Sequence, residues 1–306
     1  MAILLAGALA ACSGHASKDA TVIIAQGSSL KAAASALEKE GAIGSASAFL
    51  RNAKIFGGSA PIKPGEYEIK AGMGDSEILA LLQSGKTKQR FVIIPEGMPS
   101  VLVHDRLMAA KFLTGEAPVP PEGSVLPDAY AYTRGEPRAV VVKRMEAAMT
   151  KALAKAWAER KPSTVAKSPE EAIILASIVE KETAKASERR LVAGVYSNRV
   201  RIGMKLQADP TVIYPVTKGR PLGRRILKSE LAAINGYNTY AMSGLPQGPI
   251  ANPGKASIEA VLDPAPTRAL FFVADGTGGH VFAETGSEHN ANVNKWFALR
   301  KQKGEM

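Results

Sequence analysis

Hydrophobic positions along this chain fall into blocks whose spacing predicts helices joined by a few short strands. The pattern predicts a strand over 21–25, helices over 29–41 and 45–56, and, after a turn at 61–65, a second strand over 65–72. Together these make a β-α-α-β unit. A helix over 76–83 follows, closed by Ser84, Gly85 and Lys86. Val92, Ile93, Ile94 and Gly97 then repeat Val22, Ile23, Ile24 and Gly27 at an offset of 70 residues, as Leu107 repeats Leu37. A partial internal repeat and two unrelated turns of one pattern explain this equally well.

Residues 116–121 read as a surface loop and 136–160 as a long helix. Val141, Val142, Met145, Ala148, Leu153, Ala156 and Trp157 supply its apolar positions, with Arg138, Lys143, Arg144, Lys151 and Lys155 expected on a solvated face. The clearest helix start is at Ser168, with Pro169 in the first turn and Glu171 completing a capping box. Ile173 to Val179 are nearly all apolar, so this helix is expected to be buried. A second helix runs from Ser187 to a stop at Gly203, and polar, turn-rich segments follow at 207–211, 235–240 and 244–254. A short helix over 257–262 and a hairpin of strands 271–274 and 280–283 around Asp-Gly-Thr-Gly-Gly complete the pattern.

Two glutamates sit late in the buried helix. Glu182 has Lys185 three positions on and reads as half of a surface ion pair, whereas Glu180 has only Ala176, Ser177, Thr183 and Ala184 at helical spacing. A late helical glutamate is ordinarily a solvated residue. The long polar loops downstream, where binding groups tend to sit, make Glu180 the candidate catalytic acid instead.

The segments ASIVEKET (176–183), ASERRLVAGVYSNRVRIGMKLQADPTVIY (186–214), NGYNTYAMSGLPQGPIANPG (235–254) and LFFVADGTGGHVFAET (270–285) occur in this order. In them the chain closely resembles the MltG (YceG-like) endolytic murein transglycosylases of bacterial inner membranes, over about residues 21–300. The resemblance implies an α+β fold: a small LysM-like β-α-α-β module over 21–90, then a mainly helical catalytic domain with a β-hairpin over 91–306, after an anchor or signal segment with a linker over 1–20. It places the catalytic glutamate at the start of Glu-Lys-Glu-Thr, on Glu180. Ser124 and Ala129 depart from the usual family block at 123–134, which bears on any substrate contact there.

The implied reaction is cleavage of the bond between N-acetylmuramic acid (MurNAc) and N-acetylglucosamine (GlcNAc) in nascent glycan strands, leaving 1,6-anhydro ends and stopping elongation. A hydrolase normally needs two carboxyl groups. A lytic transglycosylase manages with one, because the sugar's own C6 hydroxyl is the nucleophile. Asn198, Gln207, Asp209, Thr211, Asn238 and Tyr240 are the candidate substrate-binding residues, with hydrogen-bonding side chains suited to N-acetyl and hydroxyl groups and a ring that can stack on a sugar. Asp209 is also the one downstream candidate for a second carboxylate. The competing reading is a non-catalytic peptidoglycan-binding scaffold of the cell envelope.

Composition narrows the partners. A net charge of +11 over 306 residues points to an anionic partner. No nucleic-acid motif is present, so anionic lipid or the carboxylate-bearing cell wall is expected rather than nucleic acid. Residues 1–12 are apolar but too short to span a bilayer, which takes about 20 residues. They read as the end of a single-pass inner-membrane anchor, or less readily as a lipoprotein signal ending at Cys12, with the globular part in the periplasm and cell-wall synthases as further candidate partners. Cys12 is the one cysteine, and His15, His104, His280 and His289 lie at no metal-ligand spacing, so neither a metal nor another cofactor is expected.

Overall fold

The structure, a computed structural model, describes residues 15–57 and 59–304. The expected anchor segment and Cys12 lie outside the described residues. The chain divides into two compact units: the described residues up to Arg90 together with Ala131–Gly135, and Phe91–Tyr130 with residue 136 onward.

The first unit is built from β1 (Ala20–Ile24), α1 (Leu30–Lys39), α2 (Ala46–Phe56), β2 (Gly65–Ile69) and α3 (Asp75–Ser84). β1 and β2 pair antiparallel with Val22 opposite Tyr67, so the order β-α-α-β is as expected. Ser29 and Ser45 cap the two helices by accepting the backbone N–H groups of Ala32 and Ala48. Val22, Leu37, Phe49, Tyr67, Ile78 and Leu82 are fully buried and form this unit's own core. The polar stretch before Thr21 is not a free linker. His15 bridges to Gly74, Ala16 is buried, and the Ala16 N–H donates to the Met73 carbonyl at 2.9 Å. Asp19 accepts the N–H of Ala71 at 2.9 Å. The alternation of apolar and polar residues there is too short to register as an edge.

The chain continues through β3 (Arg90–Ile93), α4 (Ser100–Met108), β4 (Ala129–Tyr132), α5 (Arg138–Ala158), α6 (Pro169–Glu182), a 3-10 turn (Ala186–Glu188) and α7 (Arg189–Arg201). It ends with α8 (Asp209–Thr217), α9 (Lys228–Ala232), α10 (Lys255–Leu262), β5 (Phe271–Ala274), β6 (His280–Ala283) and α11 (Gly286–Gln302). β3 and α4 recur 70 residues after β1 and α1, but β3 pairs with β4. The polar segment expected as loop at 207–211 instead opens α8, because Asp209 and Pro210 suit the first turn of a helix.

The core of the second unit lies among α5, α6, α7 and α10, with Leu175, Ile178, Val179, Val192, Tyr196, Ile258 and Val261 all buried. Ser168 starts α6 as expected, its Oγ accepting the N–H of Glu171 at 3.3 Å. Arg138 is no simple solvated cation. It donates to the carbonyls of Leu107, Met108, Ala110 and Gly115 and so fastens the end of α4 to the start of α5. No described helix is long and apolar enough to cross a membrane.

Candidate active site

The two glutamates of α6 have opposite surroundings, since two helical steps turn the chain by roughly 200°. The Glu180 side chain is only 6% exposed and closely held. One carboxylate oxygen accepts the N–H of Gly254 at 2.9 Å, and the other lies 3.8 Å from Arg189, which also approaches Glu96 at 3.7 Å. Glycine at 254 and 97 is what permits this approach: a Cβ on Gly254 would collide with the Glu96 carboxyl, and one on Gly97 would stand 3.2 Å from Glu180 Cγ. The room for a ligand expected beside Glu180 is filled by these groups.

Glu182 does not form the expected surface pair with Lys185. α6 ends at Glu182 and Thr183 is extended (φ −141°), so helical spacing no longer applies and Lys185 pairs with Glu188 at 3.3 Å. Glu182 instead turns into a cleft of about 420 Å³ whose wall it shares with Tyr196 and Arg199 from α7, Gln207 and Asp209 at the start of α8, Tyr240, Phe271, Phe272 and His289. Its Oε1 is buried with no hydrogen-bond partner. The carboxyl is pushed up to about 7, first by burial and further by Asp209, while the Tyr196 hydroxyl and Arg199 pull it back. A carboxyl so placed holds its proton near neutrality, with one oxygen unpaired in the wall of the cleft.

The walls are fixed from outside the cleft. Arg199 is buried, donating from Nε to the Leu270 carbonyl at 2.7 Å and from Nη1 to Leu206 at 2.6 Å, which ties the residues before β5 to those before α8. Tyr196 meets Phe272 edge to face at 5.8 Å, and His289 stacks on Phe271 at 5.1 Å. Burial, helped by Arg199, lowers the His289 imidazole. His280 lies behind this wall, edge-on to Phe272. Its backbone N–H donates to Glu188 at 3.1 Å, and its Nδ1 lies 2.8 Å from the same carboxylate.

Of the six candidate binding residues, Gln207, Asp209 and Tyr240 line the cleft. The other three face the scaffold. Asn198 donates to the carbonyls of Thr267 and Ala269, Thr211 is buried against Thr239, and Asn238 donates to Glu230, Leu231 and Ala233. Gln207 adopts a left-handed backbone (φ 51°) uncommon for a residue with a side chain, a strain that surrounding contacts must hold in place. Glu182, Tyr196, Arg199, Phe271, Phe272 and His289 were not singled out from sequence. For Glu182 the local signal was present but misleading, and for the others only the tertiary fold brings them together.

A buried helical carboxyl on the wall of a polar and aromatic cleft, in a mixed helix-and-sheet chain, defines an α+β protein with a site suited to proton transfer. The family model for the YceG-like family matches residues 22–295. Two similar proteins are both called endolytic murein transglycosylase: one of Bacillus subtilis, 30% identical over 92% of this chain and 85% of its own length, and one of Streptococcus pneumoniae, 28% identical over 91% of this chain and 58% of its own. A crystal structure of a YceG-like protein from Listeria monocytogenes superposes with a TM-score of 0.57 at 28% identity, covering 90% of this chain and 98% of that one. The chain belongs to the YceG-like family.

Proposed function

We propose that the protein is an endolytic peptidoglycan lytic transglycosylase in which Glu182, rather than Glu180, is the catalytic acid. The observation that carries this reading is the buried Glu182 carboxyl, raised to about 7 and facing a cleft with hydrogen-bonding and aromatic walls. Glu180 is already engaged by Gly254 and Arg189. The relatives' shared name supports the reaction and the cell-wall substrate.

Glu182 gives its proton to the oxygen joining MurNAc C1 to GlcNAc as the C1–O bond breaks and its electron pair goes to the departing oxygen. The resulting carboxylate takes the proton of the MurNAc C6 hydroxyl, and O6 bonds to C1. The 1,6-anhydro end forms without water, and Glu182 is again protonated. Because the protonated form starts the cycle, activity falls as pH rises through about 7.

The β-α-α-β unit fits the LysM-like module that the resemblance implies, and a role in positioning the enzyme on glycan follows from it. In the same reading the N-terminal residues anchor the protein in the inner membrane with both units in the periplasm, near the cell-wall synthases.

The test is reaction of purified glycan strands in ¹⁸O-labelled water, read by mass spectrometry. Internal cuts with unlabelled anhydro ends are expected from wild type and from Glu180→Gln, and no cuts from Glu182→Gln. Label at the new reducing end would make the protein a hydrolase. An active Glu182→Gln beside an inactive Glu180→Gln would return the acid to Glu180.

A further inference from the structure

The cleft holds a second carboxyl group, and the manner of its support sets it apart from a helix cap. Asp209 opens α8, where an acidic residue commonly serves the helix terminus. Among the described residues, however, no backbone N–H donates to its side chain, whose Oδ1 instead accepts the Tyr240 hydroxyl at 2.6 Å. The hydroxyl stays a donor: burial, with Asp209 adding to it, drives the Tyr240 phenol above its ordinary range.

Everything around the pair braces it. The backbone N–H groups of Gln207 and Ala208 donate to the Thr239 carbonyl (3.1 Å) and to Thr239 Oγ1 (3.0 Å). The Thr239 hydroxyl meets the Thr211 hydroxyl at 2.8 Å, and Asn238 Oδ1 accepts the N–H of Tyr240 at 2.9 Å while its amide is locked on three carbonyls. Thr211 and Asn238, expected to touch glycan, thus hold Asp209 and Tyr240 side by side at the cleft. Such pre-organisation is what a charge-stabilising group requires.

We propose that Asp209, aimed by Tyr240, is a second catalytic group whose carboxylate stabilises the positive charge developing at MurNAc C1 and the ring oxygen. The proposal rests on Glu182 as the acid. As the C1–O bond breaks, the departing oxygen takes the electron pair and the Glu182 proton, and the positive charge left on C1 and the ring oxygen faces Asp209. O6 then closes on C1, its proton going to Glu182. Asp209 forms no bond and transfers no proton, so the product keeps its unlabelled anhydro end.

Asp209→Asn and Tyr240→Phe, each assayed in the full chain on purified strands, test this. Asp209→Asn should lower kcat by about 10²- to 10³-fold, as loss of one charge-stabilising group does, with KM changed by less than about threefold. Its pH profile should also lose activity at lower pH than wild type, since the negative charge that helps Glu182 keep its proton is gone. Tyr240→Phe, with the carboxylate present but unaimed, should lose about tenfold in kcat, the equivalent of one hydrogen bond. Asp209→Asn with wild-type kcat and an unmoved pH profile overturns the proposal, as does unchanged kcat in Tyr240→Phe should the aspartate variant not fold. Activity in Glu182→Gln overturns the underlying reading of the acid by itself, a separate result.

Discussion

Glu180 and Glu182 differ in what reaches them rather than in position on the helix, and stability measurements separate them as well as activity does. A buried carboxyl raised from 4.5 to about 7 keeps its proton in the folded chain over a range where the unfolded chain has lost it. Its contribution is fully present below about 4.5 and is lost as pH rises to about 7, a decline of at most about 3 kcal/mol. Glu182→Gln has no such proton to lose. Urea unfolding at pH 4 and pH 8 should therefore show the variant about equal to wild type at the lower pH and more stable at the higher one. A variant less stable at both would mean that the carboxyl is not held neutral. Glu180→Gln should instead lose about 1–3 kcal/mol at neutral pH, because Arg189 then remains buried with a weaker set of anions. Local spacing on α6 favours Glu180 because it reads only neighbours in sequence. Glu182 shares its cleft with Tyr196, Asp209 and the β5 residues Phe271 and Phe272, which helical spacing on α6 cannot reveal, and the end of α6 cancels the i+3 geometry that points to Lys185 as its partner.

Among the elements, those with local signals were legible. α6 announces itself by its cap and first-turn proline, and the strands and helices of the first unit by period and capping serines. α8 and α11 do not show in the hydrophobic pattern. α11 has no fully buried side chain and so lacks an apolar stripe, although Thr285 and Glu288 form a capping box at its start. α7 carries a less obvious constraint in Gly194, whose missing Cβ leaves room for the segment after α10. A Cβ there would stand 2.7 Å from the Ala265 carbonyl oxygen and 2.8 Å from a Thr267 methyl. Helix propensity favours Gly194→Ala by about 1 kcal/mol. The clash with backbone costs about 1–3 kcal/mol and should win. Gly194→Ala should therefore lower the urea midpoint, and a raised midpoint would show that residues 264–267 can move away freely. Asn198, one turn further along α7, bonds that same segment, so the variant should also report on how firmly this side of the helix is held.

At the scale of the whole molecule, each unit has its own core, and the extent of the first one bears on where an anchor can end. The polar residues before β1 were expected to be linker, yet Ala16 is buried and its carbonyl accepts the Gly72 N–H at 2.8 Å, while its own N–H reaches Met73. A chain beginning at Lys18 loses both hydrogen bonds and the buried methyl, about 2–3 kcal/mol in all. A chain beginning at Ser13 keeps them. If the anchor lies in residues 1–12, the Ser13 chain should leave the membrane fraction while unfolding at the urea midpoint of the full chain, and the Lys18 chain should leave it with a lower midpoint. The net charge of +11 can hold a released body on anionic lipid, so fractionation belongs at high salt, where such attraction is screened within about 3 Å at 1 M. A Ser13 chain still sedimenting with membranes at that salt would place the anchor elsewhere in the sequence, and equal midpoints for the two chains would show that Ala16 adds nothing to the first core.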